Sequence, residues 1–452
     1  MNRSFLVAGA GRSGVAAVNL LLRKGEAVCF YDGNASLNRE ELQKKLLRPV
    51  EVYLNELPDP EALGLTDAVL SPGIPVDAPF VCALKEKGVR ILSEIELAYL
   101  FEQGTVIGIT GTNGKTTTTT LVSEIMKAYK GAGKAFVAGN IGIPYADEAD
   151  RTAPDSVTTL ELSSFQLETI DTFHAKISAI LNITPDHLNR HHTMETYAEA
   201  KYRIAENETA GDTLILNEND ERLREFGARP HQAKVVWFSG VRTLADGYFL
   251  RGDELIRSAN GAETILLRTD ETTLVGQCNY ENILAAFAIA DAAGVPEELT
   301  KSVIRAFRAV AHRIEYTATV NGVRYYDDSK GTNPDAAIQG IRAMTSKTVL
   351  IGGGYDKGSE FDEWIDAFGG KVKLLILMGV TAEKIAETAK RHGFTEIAFV
   401  ASMEEAVRLA AKTALPGEAV LLSPACASWG MFKDYEERGD IFKALVRKME
   451  EQ

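Results

Sequence analysis

Short apolar runs alternate with longer amphipathic segments along most of this chain. The runs, for example Val106–Ile109 and Ala419–Leu422, are rich in aliphatic and β-branched residues, which is typical of strands buried on both faces. The segments between them carry apolar residues at helical spacing, as in Leu121–Tyr129. This alternation predicts the α/β class, in which parallel sheets are covered by helices on both faces.

The predicted strands fall into three groups, and we therefore expect three domains. A Rossmann-like domain is predicted over residues 1–97, a central domain with a parallel sheet of the P-loop ATPase type over 98–309, and a second Rossmann-like domain over 310–452. A helix at Leu92–Leu100 is expected to connect the first two domains. The predicted strands are Ser4–Ala8, Ala27–Tyr31, Asp67–Leu70, Val106–Ile109, Ser156–Leu160, Ile177–Asn182, Thr213–Leu216, Val235–Phe238, Thr348–Ile351, Leu374–Met378, Ile397–Val400 and Ala419–Leu422.

A glycine-rich turn follows the first strand of the central domain and ends in Gly-Lys-Thr. Backbone N–H groups in such a turn point inward at the positive end of a helix dipole, so the turn can hold a polyphosphate. We expect Lys115 to reach the outer phosphates and the Thr116 hydroxyl to contact Mg²⁺. A strict P-loop has glycine where this chain has Ile109, so the alternative is a helix-capping turn with an ordinary surface lysine. The candidate nucleotide-binding residues are Gly111, Thr112, Asn113, Gly114, Lys115, Thr116 and Thr117.

A second glycine-rich turn, Gly9–Gly14, follows the first strand of the chain, and Asp32 ends the next strand. In this Rossmann fingerprint the glycines allow close approach of a phosphate, and the acid receives a ribose or base. A rigid loop that begins at Ser71 is expected at the same edge of the sheet. A dehydrogenase would need a catalytic acid or base nearby, and residues 76–97 offer no clear candidate, so we predict a different nucleotide. A tight turn without a ligand is the alternative.

Other candidate side chains follow strands of the central domain. Glu161 lies beside the phosphate loop, where it would bind nucleotide-bound Mg²⁺ or, equally well, cap the next helix. His187 lies nearest the strand end among the histidines of its loop, so it is the candidate metal ligand or substrate-orienting group, and the others are expected to be solvated. Lys201 is predicted on a helix, where a lysine is ordinarily solvated.

Amide and basic side chains mark the later part of the chain. Asn279 and Asn282 lie one turn apart at a predicted helix start, so both can face one ligand, whereas capping explains only one of them. Lys330, Lys357 and Ser428 lie in strand-end loops of the third domain. Since the carboxyl ends of parallel strands meet at one edge, we predict that these three bind one anionic ligand. Ordinary turn chemistry is the alternative, but it explains basic residues in two loops poorly.

Composition narrows the classes of partner. The net charge of −14 disfavours nucleic-acid backbones and anionic membrane surfaces, so an anionic ligand must be held by local positive charge. The 4 cysteines show no CxxC pairing, which predicts a reducing compartment and no zinc site. A strand is expected almost at once after the first residues, rather than a signal peptide, and no stretch is apolar enough to span a membrane. We therefore expect a cytoplasmic protein.

The motifs of the three domains, taken together, give the chain a specific resemblance to one protein family. They are GTNGKTTT, LELSSFQLE, NITPDHLNRH followed by AKYRI, NYENILAA, AHRIEY, DDSKGTNPDAA, GGGYDKG and LLSPACASWGMFKDYEERG. In this order and over the whole length, the chain resembles the Mur ligase family of peptidoglycan synthesis. The DDSK-x-TN segment is similar to that of the members that add D-glutamate, rather than other amino acids.

The resemblance implies an ATP-dependent amide ligation in the bacterial cytoplasm. The L-alanine carboxylate of UDP-N-acetylmuramoyl-L-alanine would attack the γ-phosphate of ATP to give an acyl phosphate, and the amine of D-glutamate would then displace phosphate. Two Mg²⁺ ions are implied as cofactors. The implied partners are these small molecules, with no nucleic acid and no membrane insertion, and we expect a monomer.

The resemblance also implies roles for individual residues, among them catalytic roles for Lys115, His187, Lys201 and Lys330. The UDP moiety would contact Arg12, Ser13, Asp32, Ser71 and Asn140. ATP would lie on Gly111–Thr117, with Asn279 and Asn282 near the adenine and with Arg313, Asp328 and Lys330 contributed by the third domain. One Mg²⁺ would use Thr116 and Glu161, and the second would use His187 and Lys201, the latter converted by CO₂ to a carbamate. D-glutamate would contact Lys330, Thr332, Lys357, Ser428, Trp429 and Tyr435.

Two positions depart from the family pattern: Gly331, where alanine is frequent, and Trp429, where an aliphatic residue is common.

Three other functions compete with this interpretation. A sister ligase that adds another amino acid, including a folylpolyglutamate-type ligase, would carry a different strand-end motif in the third domain. A P-loop ATPase that serves as a regulatory binding module would have no need of the Lys357 and Ser428 loops. A dehydrogenase built on the first domain would contain bound nicotinamide.

Overall fold

The computed structural model describes residues 3–450, which fold into two compact units. The first unit extends to Arg251 and includes Ile256–Leu266 and Asn282–Val303, and the second comprises Gly252–Leu255, Leu267–Glu281 and the chain from Ile304 onward. The structure contains three largely parallel sheets, which confirms the predicted α/β class. Within residues 3–450 no helix is both long and apolar enough to span a membrane.

The strands are named in chain order. They are β1 (Ser4–Ala8), β2 (Ala27–Asp32), β3 (Glu51–Leu54), β4 (Asp67–Leu70), β5 (Arg90–Ser93), β6 (Thr105–Thr110), β7 (Ala135–Gly139), β8 (Val157–Glu161), β9 (Ile177–Ile180), β10 (Thr213–Asn217), β11 (Lys234–Ser239), β12 (Gly247–Arg251), β13 (Glu254–Ala259), β14 (Ala262–Arg268), β15 (Glu315–Val320), β16 (Val323–Asp327), β17 (Thr348–Gly352), β18 (Val372–Leu377), β19 (Ile397–Phe399) and β20 (Ala419–Leu422).

The helices follow the same convention. They are α1 (Arg12–Lys24), α2 (Arg39–Gln43), α3 (Pro79–Glu86), α4 (Glu94–Tyr99), α5 (Lys115–Lys130), α6 (Ser164–Leu167), α7 (Leu188–His191), α8 (Met194–Tyr202), α9 (Glu221–Gly227), α10 (Gln277–Ala292), α11 (Glu297–Ala306), α12 (Pro334–Ala343), α13 (Asp362–Asp366), α14 (Ala382–Arg391), α15 (Met403–Thr413) and α16 (Tyr435–Glu450). Short 3₁₀ helices lie at Tyr145–Asp147, Ala149–Arg151, Arg203–Ala205 and Thr269–Glu271.

Each sheet places the ends of neighbouring strands where ligands bind in α/β folds. The five-stranded sheet has the order β3-β2-β1-β4-β5 and is parallel throughout. The nine-stranded sheet has the order β14-β13-β12-β11-β10-β9-β6-β8-β7, and β6 is paired in parallel with both β8 and β9. The six-stranded sheet has the order β15-β16-β20-β17-β18-β19, and it is parallel except for β15. Strand-end loops on β6, β8 and β9, and on β16, β20 and β17, therefore lie side by side.

Local capping explains where the structure departs from the predicted elements. The expected helix Leu92–Leu100 is wrong at its start, because β5 continues to Ser93 and the Ser93 hydroxyl accepts the N–H of Glu96 to begin α4. Helix α10 begins at Gln277, so Asn279 and Asn282 both lie within its first two turns. Most predicted strands agree with the structure to within one or two residues.

Helix α4 carries two buried carboxylates that join the two sheets of the first unit. Glu96 is completely buried, and its oxygens accept the backbone N–H groups of residues 171–173 at 2.8 to 2.9 Å. Glu94 accepts the N–H of Ala146 at 2.6 Å. Burial raises the pKa of Glu94 to about 7; the hydrogen bond from Ala146 opposes this shift, and the charge of Asp147 adds to it.

Substituting Glu94→Gln is expected to reduce the loss of stability that the protein shows as pH rises. The folded Glu94 carboxyl holds its proton more tightly than an unfolded one with a pKa of 4.5. Ionising it therefore lowers the free energy of unfolding, by nothing below pH 4.5 and by the full amount above about pH 7. The amide keeps an acceptor for Ala146 and removes the charge, which should recover at most about 3 kcal/mol of pH-dependent loss. Urea unfolding at pH 5 and pH 8 measures the difference. Glu61→Gln, at an exposed side chain, is the control. If the free energy of unfolding changed with pH equally in wild type and Glu94→Gln, the raised pKa of Glu94 would be contradicted.

Candidate functional site

The phosphate loop connects β6 to α5 and has a backbone that only glycine allows at Gly114. Its φ is +83°, and a Cβ there would lie 2.3 Å from Oδ1 of Asn282. The first turn of α5 begins directly after it, and within the described chain no side chain caps that helix. A helix start without a capping side chain suits the anion site that the sequence predicts.

The phosphate loop is held rigidly by the strand next to β6. Asn182, which follows β9, accepts the N–H of Asn113 through its side chain at 2.8 Å and donates to the carbonyl of Asn113 at 3.1 Å. The carbonyl of Asn182 also accepts the N–H of Thr112 at 2.9 Å. The hydroxyls of Thr112 and Tyr197 lie 3.0 Å apart. These contacts within the protein restrain the loop, which reduces the ordering cost of binding.

Two lysine side chains meet at the carbonyl of Gly111. Nζ of Lys115 donates to the carbonyls of Gly111 at 2.8 Å and Thr112 at 2.9 Å, and Nζ of Lys201 donates to Gly111 at 2.9 Å. Lys201 is only 1% exposed and lies 4.7 Å from the centre of the Tyr197 ring. Burial, and then the charge of Lys115, lowers the pKa of Lys201 well below its usual 10.5, because both disfavour the charged ammonium. The expectation that a helix lysine is solvated is therefore wrong for Lys201.

Glu161 ends β8 beside this loop and is not a helix cap, because the hydroxyl of Ser163 caps α6. Its Oε1 accepts the side-chain amide of Asn140 at 2.8 Å. Oε2 is buried and has no hydrogen-bond partner among the described residues. A buried carboxylate oxygen without a partner fits a divalent cation, so the residues present suit the metal role predicted for Glu161. Thr116, the other predicted ligand of this cation, is also buried.

The histidines of the loop after β9 differ in environment. The side chain of His187 is 49% exposed, its φ is +53°, and its Nε2 lies 3.4 Å from the Asp186 carboxylate. His191, which was expected to be solvated, is buried instead, and its Nε2 lies 2.9 Å from the Ser164 hydroxyl. Burial, and then Arg190, lowers the pKa of His191 to about 4, so this ring is neutral near pH 7.

The predicted UDP residues surround the first glycine-rich turn. Arg12 lies at the start of α1, and its guanidinium donates to the carbonyl of Gly142, in the loop that also carries Asn140. The Asp32 carboxylate accepts the N–H of Ala10 at 2.7 Å, and the Ser71 hydroxyl donates to Gly9 at 3.1 Å. The structure therefore brings Arg12, Asp32, Ser71 and the Asn140 loop to one edge of the first unit. Ser13 lies in the first turn of α1 and is partly exposed.

The two predicted adenine-binding amides have different environments. Asn282 belongs to the first unit, where its Oδ1 accepts the Thr118 hydroxyl at 3.2 Å and also lies against Gly114. Asn279 belongs to the second unit, where its side-chain amide donates to the carbonyl of Val275 at 2.9 Å.

In the second unit, Asp328 follows β16 and is buried. Its carboxylate accepts the Ser423 hydroxyl at 2.6 Å, and burial raises its pKa to about 7. The backbone N–H of Lys330 donates to the carbonyl of His312, next to Arg313, at 3.0 Å. The strand-end loop and the 312–313 segment are therefore joined, which places Arg313, Asp328 and Lys330 in one region of the second unit.

The predicted amino-acid residues lie in the loops after β16, β17 and β20, which are adjacent strands, except for Tyr435, which begins α16. Nζ of Lys330 lies 5.2 Å from the ring centre of Tyr435, and Nζ of Lys357 lies 5.0 Å from that of Trp429. Ser428 is buried, and Thr332 is partly exposed in the loop that contains Lys330. The structure therefore places all of these residues at one edge, as expected.

Sequence reasoning did not single out Arg438, although its segment is part of the family motif. Its guanidinium is buried and donates to the hydroxyl of Ser329 at 2.9 Å, to the Ser329 carbonyl at 2.8 Å and to the Cys426 carbonyl at 3.0 Å. Arg438 thus joins the loops that follow β16 and β20. Charged residues in a turn of a helix ordinarily face solvent, so the sequence gives no local signal of this role.

Comparison with known proteins identifies the class. Three family models match successive parts of the chain: the Mur ligase MurD-like N-terminal domain at residues 3–93, the Mur ligase middle domain at 109–290, and the Mur ligase, glutamate ligase domain, at 312–426. A crystal structure of MurF ligase from Thermotoga maritima in complex with ADP has a TM-score of 0.59 and 16% identity, and the match covers 99% of this chain and 98% of that chain. At that identity the likeness shows the fold.

The chain belongs to the Mur ligase family, which confirms the resemblance found in its motifs. A protein of Lachnoclostridium phytofermentans named UDP-N-acetylmuramoylalanine--D-glutamate ligase is 51% identical to it, over 100% of this chain and 99% of the relative. A protein of Lachnospira eligens with the same name is also 51% identical, over 99% of each chain.

Proposed function

We propose that this protein is an ATP-dependent ligase that joins D-glutamate to UDP-N-acetylmuramoyl-L-alanine in peptidoglycan precursor synthesis. The observation that carries the proposal is the combination of a phosphate loop contacted by two lysines with a basic strand-end cluster in the second unit. An ATPase that only binds a partner would need the first of these features but not the second. The relatives at 51% identity, named for this reaction, support the choice of amino acid.

The chemistry proceeds in two steps. A carboxylate oxygen of the L-alanine moiety forms a bond to the γ-phosphorus of ATP while the bond to ADP breaks, which gives an acyl phosphate. The uncharged amine of D-glutamate then attacks the acyl carbon and loses a proton, and inorganic phosphate leaves. Negative charge accumulates in both steps, so Lys115 and the N–H groups of the phosphate loop supply the main stabilisation in this proposal.

Two Mg²⁺ ions are proposed as cofactors, since the buried Glu161 oxygen and the adjacent Thr116 suit a cation bound to ATP. When bound, the ions would neutralise phosphate charge. His187 and Lys201 are proposed for the second ion, with Lys201 as a carbamate: its neutral amine adds to CO₂ and releases one proton. The carbamate replaces a cation with an oxygen ligand of the kind Mg²⁺ prefers.

The remaining assignments follow from the same proposal. Residues 1–97 would hold the UDP moiety, 98–309 would hold ATP, and 310–452 would hold D-glutamate; the matched family regions fall within these bounds. The substrates are small molecules, the enzyme is proposed to act in the cytoplasm, and it is proposed to be a monomer. The predicted UDP, ATP and D-glutamate contacts named above are part of this proposal.

The proposal is tested by the release of ADP from ATP in the presence of UDP-N-acetylmuramoyl-L-alanine. We expect release that depends on D-glutamate and is negligible with L-glutamate or L-lysine, with the amide product identified by mass spectrometry. Amino-acid-independent hydrolysis would instead favour the ATPase module, and a preference for L-lysine would favour a sister ligase. An absorbance spectrum that revealed bound nicotinamide would support the dehydrogenase.

A further inference from the structure

Two large aromatic side chains lie exposed and in contact at the amino-acid edge of the second unit. Trp429 is 54% exposed and Tyr355 is 44% exposed, although tryptophan is highly buried on average in folded proteins. Their ring centres are 5.5 Å apart at an interplanar angle of 63°, an edge-to-face arrangement. Nζ of Lys357 lies 5.0 Å from the centre of the Trp429 ring, within the range of a cation–π interaction.

The backbone builds this arrangement from two separate loops. The N–H of Tyr355, after β17, donates to the carbonyl of Ala427, after β20, at 2.8 Å, and the two residues form an isolated β-bridge. Gly354 has a φ of +153°, and a Cβ there would lie 2.3 Å from the Ala427 carbonyl oxygen. The close approach therefore requires glycine and fixes Tyr355 and Lys357 against the loop that carries Trp429.

The Lys357 ammonium lies over the Trp429 ring and forms no ion pair with a described acid. Across residues 3–450, no carboxylate lies within 4.0 Å of its Nζ. Nearby Lys384, in contrast, lies 3.8 Å from the Asp356 carboxylate and 3.9 Å from that of Glu360. An ammonium over an aromatic face keeps its N–H donors for an incoming anion, whereas an ion-paired ammonium must first give up its partner.

We propose that Trp429, supported by Tyr355, positions the Lys357 ammonium for a carboxylate of the incoming amino acid and so sets the affinity for that substrate. This inference rests on the proposed function. A free lysine side chain loses rotational freedom when it binds an anion, and a lysine already held by the ring loses less. Trp429 is a positioning residue, because it acts through Lys357.

The test compares Trp429→Phe and Trp429→Leu with wild type in the ligation assay. We expect the KM for D-glutamate to rise about twofold for phenylalanine and about fivefold for leucine, in the order of cation–π strength, with KM for ATP unchanged and kcat changed less than KM. Phe399→Leu removes another exposed aromatic at the end of β19 in the same sheet, and we expect it to change neither constant.

A double-substitution experiment separates positioning from a structural role. In a Lys357→Met background, Trp429→Leu should have no further effect on the KM for D-glutamate, because the group it positions is absent. An undiminished effect in that background, an unchanged KM in Trp429→Leu alone, or an equal rise in the KM for ATP would overturn the inference. If wild type itself fails to use D-glutamate, the proposed function fails, and that outcome is distinct from all of these.

Discussion

Substituting Lys115→Ala is expected to lower the rate of ligation by about a thousandfold or more. In the structure this ammonium lies over the phosphate loop, bonded to the carbonyls of Gly111 and Thr112, where phosphate charge would develop during transfer. Removal of a positioned cation from a phosphoryl-transfer site costs transition-state stabilisation that water does not replace. ADP release under saturating substrates measures the rate, and ATP affinity measured by calorimetry reports on ground-state binding.

Lys127→Ala is the matched control for this prediction. Lys127 lies on the same helix, is partly exposed and pairs with Glu124 at 2.8 Å, so its loss should leave the rate nearly unchanged. Thermal unfolding of both variants shows whether either change disturbs the fold. A folded Lys115→Ala variant that retained amide formation would refute the assignment of this loop as the ATP site.

Substituting Lys201→Met is expected to reduce ligation at least about a hundredfold while the protein stays folded. Methionine is unbranched and apolar, so it suits the buried position beside Tyr197, but it cannot add CO₂. Burial lowers the pKa of Lys201 well below 10.5, which shifts the side chain toward the neutral amine that carbamate formation requires. The loss of activity should therefore be accompanied by the loss of a modification, and not only of a charge.

Carbon-13 NMR with labelled bicarbonate tests this second prediction directly. Wild type should show a carbamate resonance that Lys201→Met lacks, and depletion of CO₂ should lower the activity of wild type reversibly. Lys176→Met, at a half-exposed lysine near the start of β9, should keep both the resonance and the activity. A wild-type enzyme that is fully active without CO₂ and shows no resonance would eliminate the carbamate.

The fold could be predicted from the sequence where a pattern is local. The strands Ser4–Ala8, Asp67–Leu70 and Ala419–Leu422 agree with the structure at both ends, because buried parallel strands are short apolar runs bounded by turn residues. The start of α4 cannot be predicted from the pattern, since an apolar run such as Leu92–Leu100 fits both a strand and a helix. Only the Ser93 cap, a specific hydrogen bond, divides that run into its two elements.

The candidate site could be predicted where glycine and strand-end chemistry are visible in the sequence. The Gly111–Thr117 turn and the edge that carries Lys330 and Lys357 are of this kind. The burial of Lys201 could not be predicted, because its partner Gly111 lies 90 positions away along the chain. The same limit applies to His191, whose environment depends on the packing of the Ser164 region against the loop after β9.

The three hydrogen bonds of Arg438 limit which positions of this enzyme can be substituted under selection. A lysine would offer one nitrogen in place of three separate donor positions, so no other natural cation can join Ser329 to Cys426 in the same way. Resistance to an inhibitor that occupied the amino-acid edge is therefore expected to arise at exposed positions such as Trp429, where variation weakens one contact. Position 438 should stay constant, because one substitution there would release two loops at once.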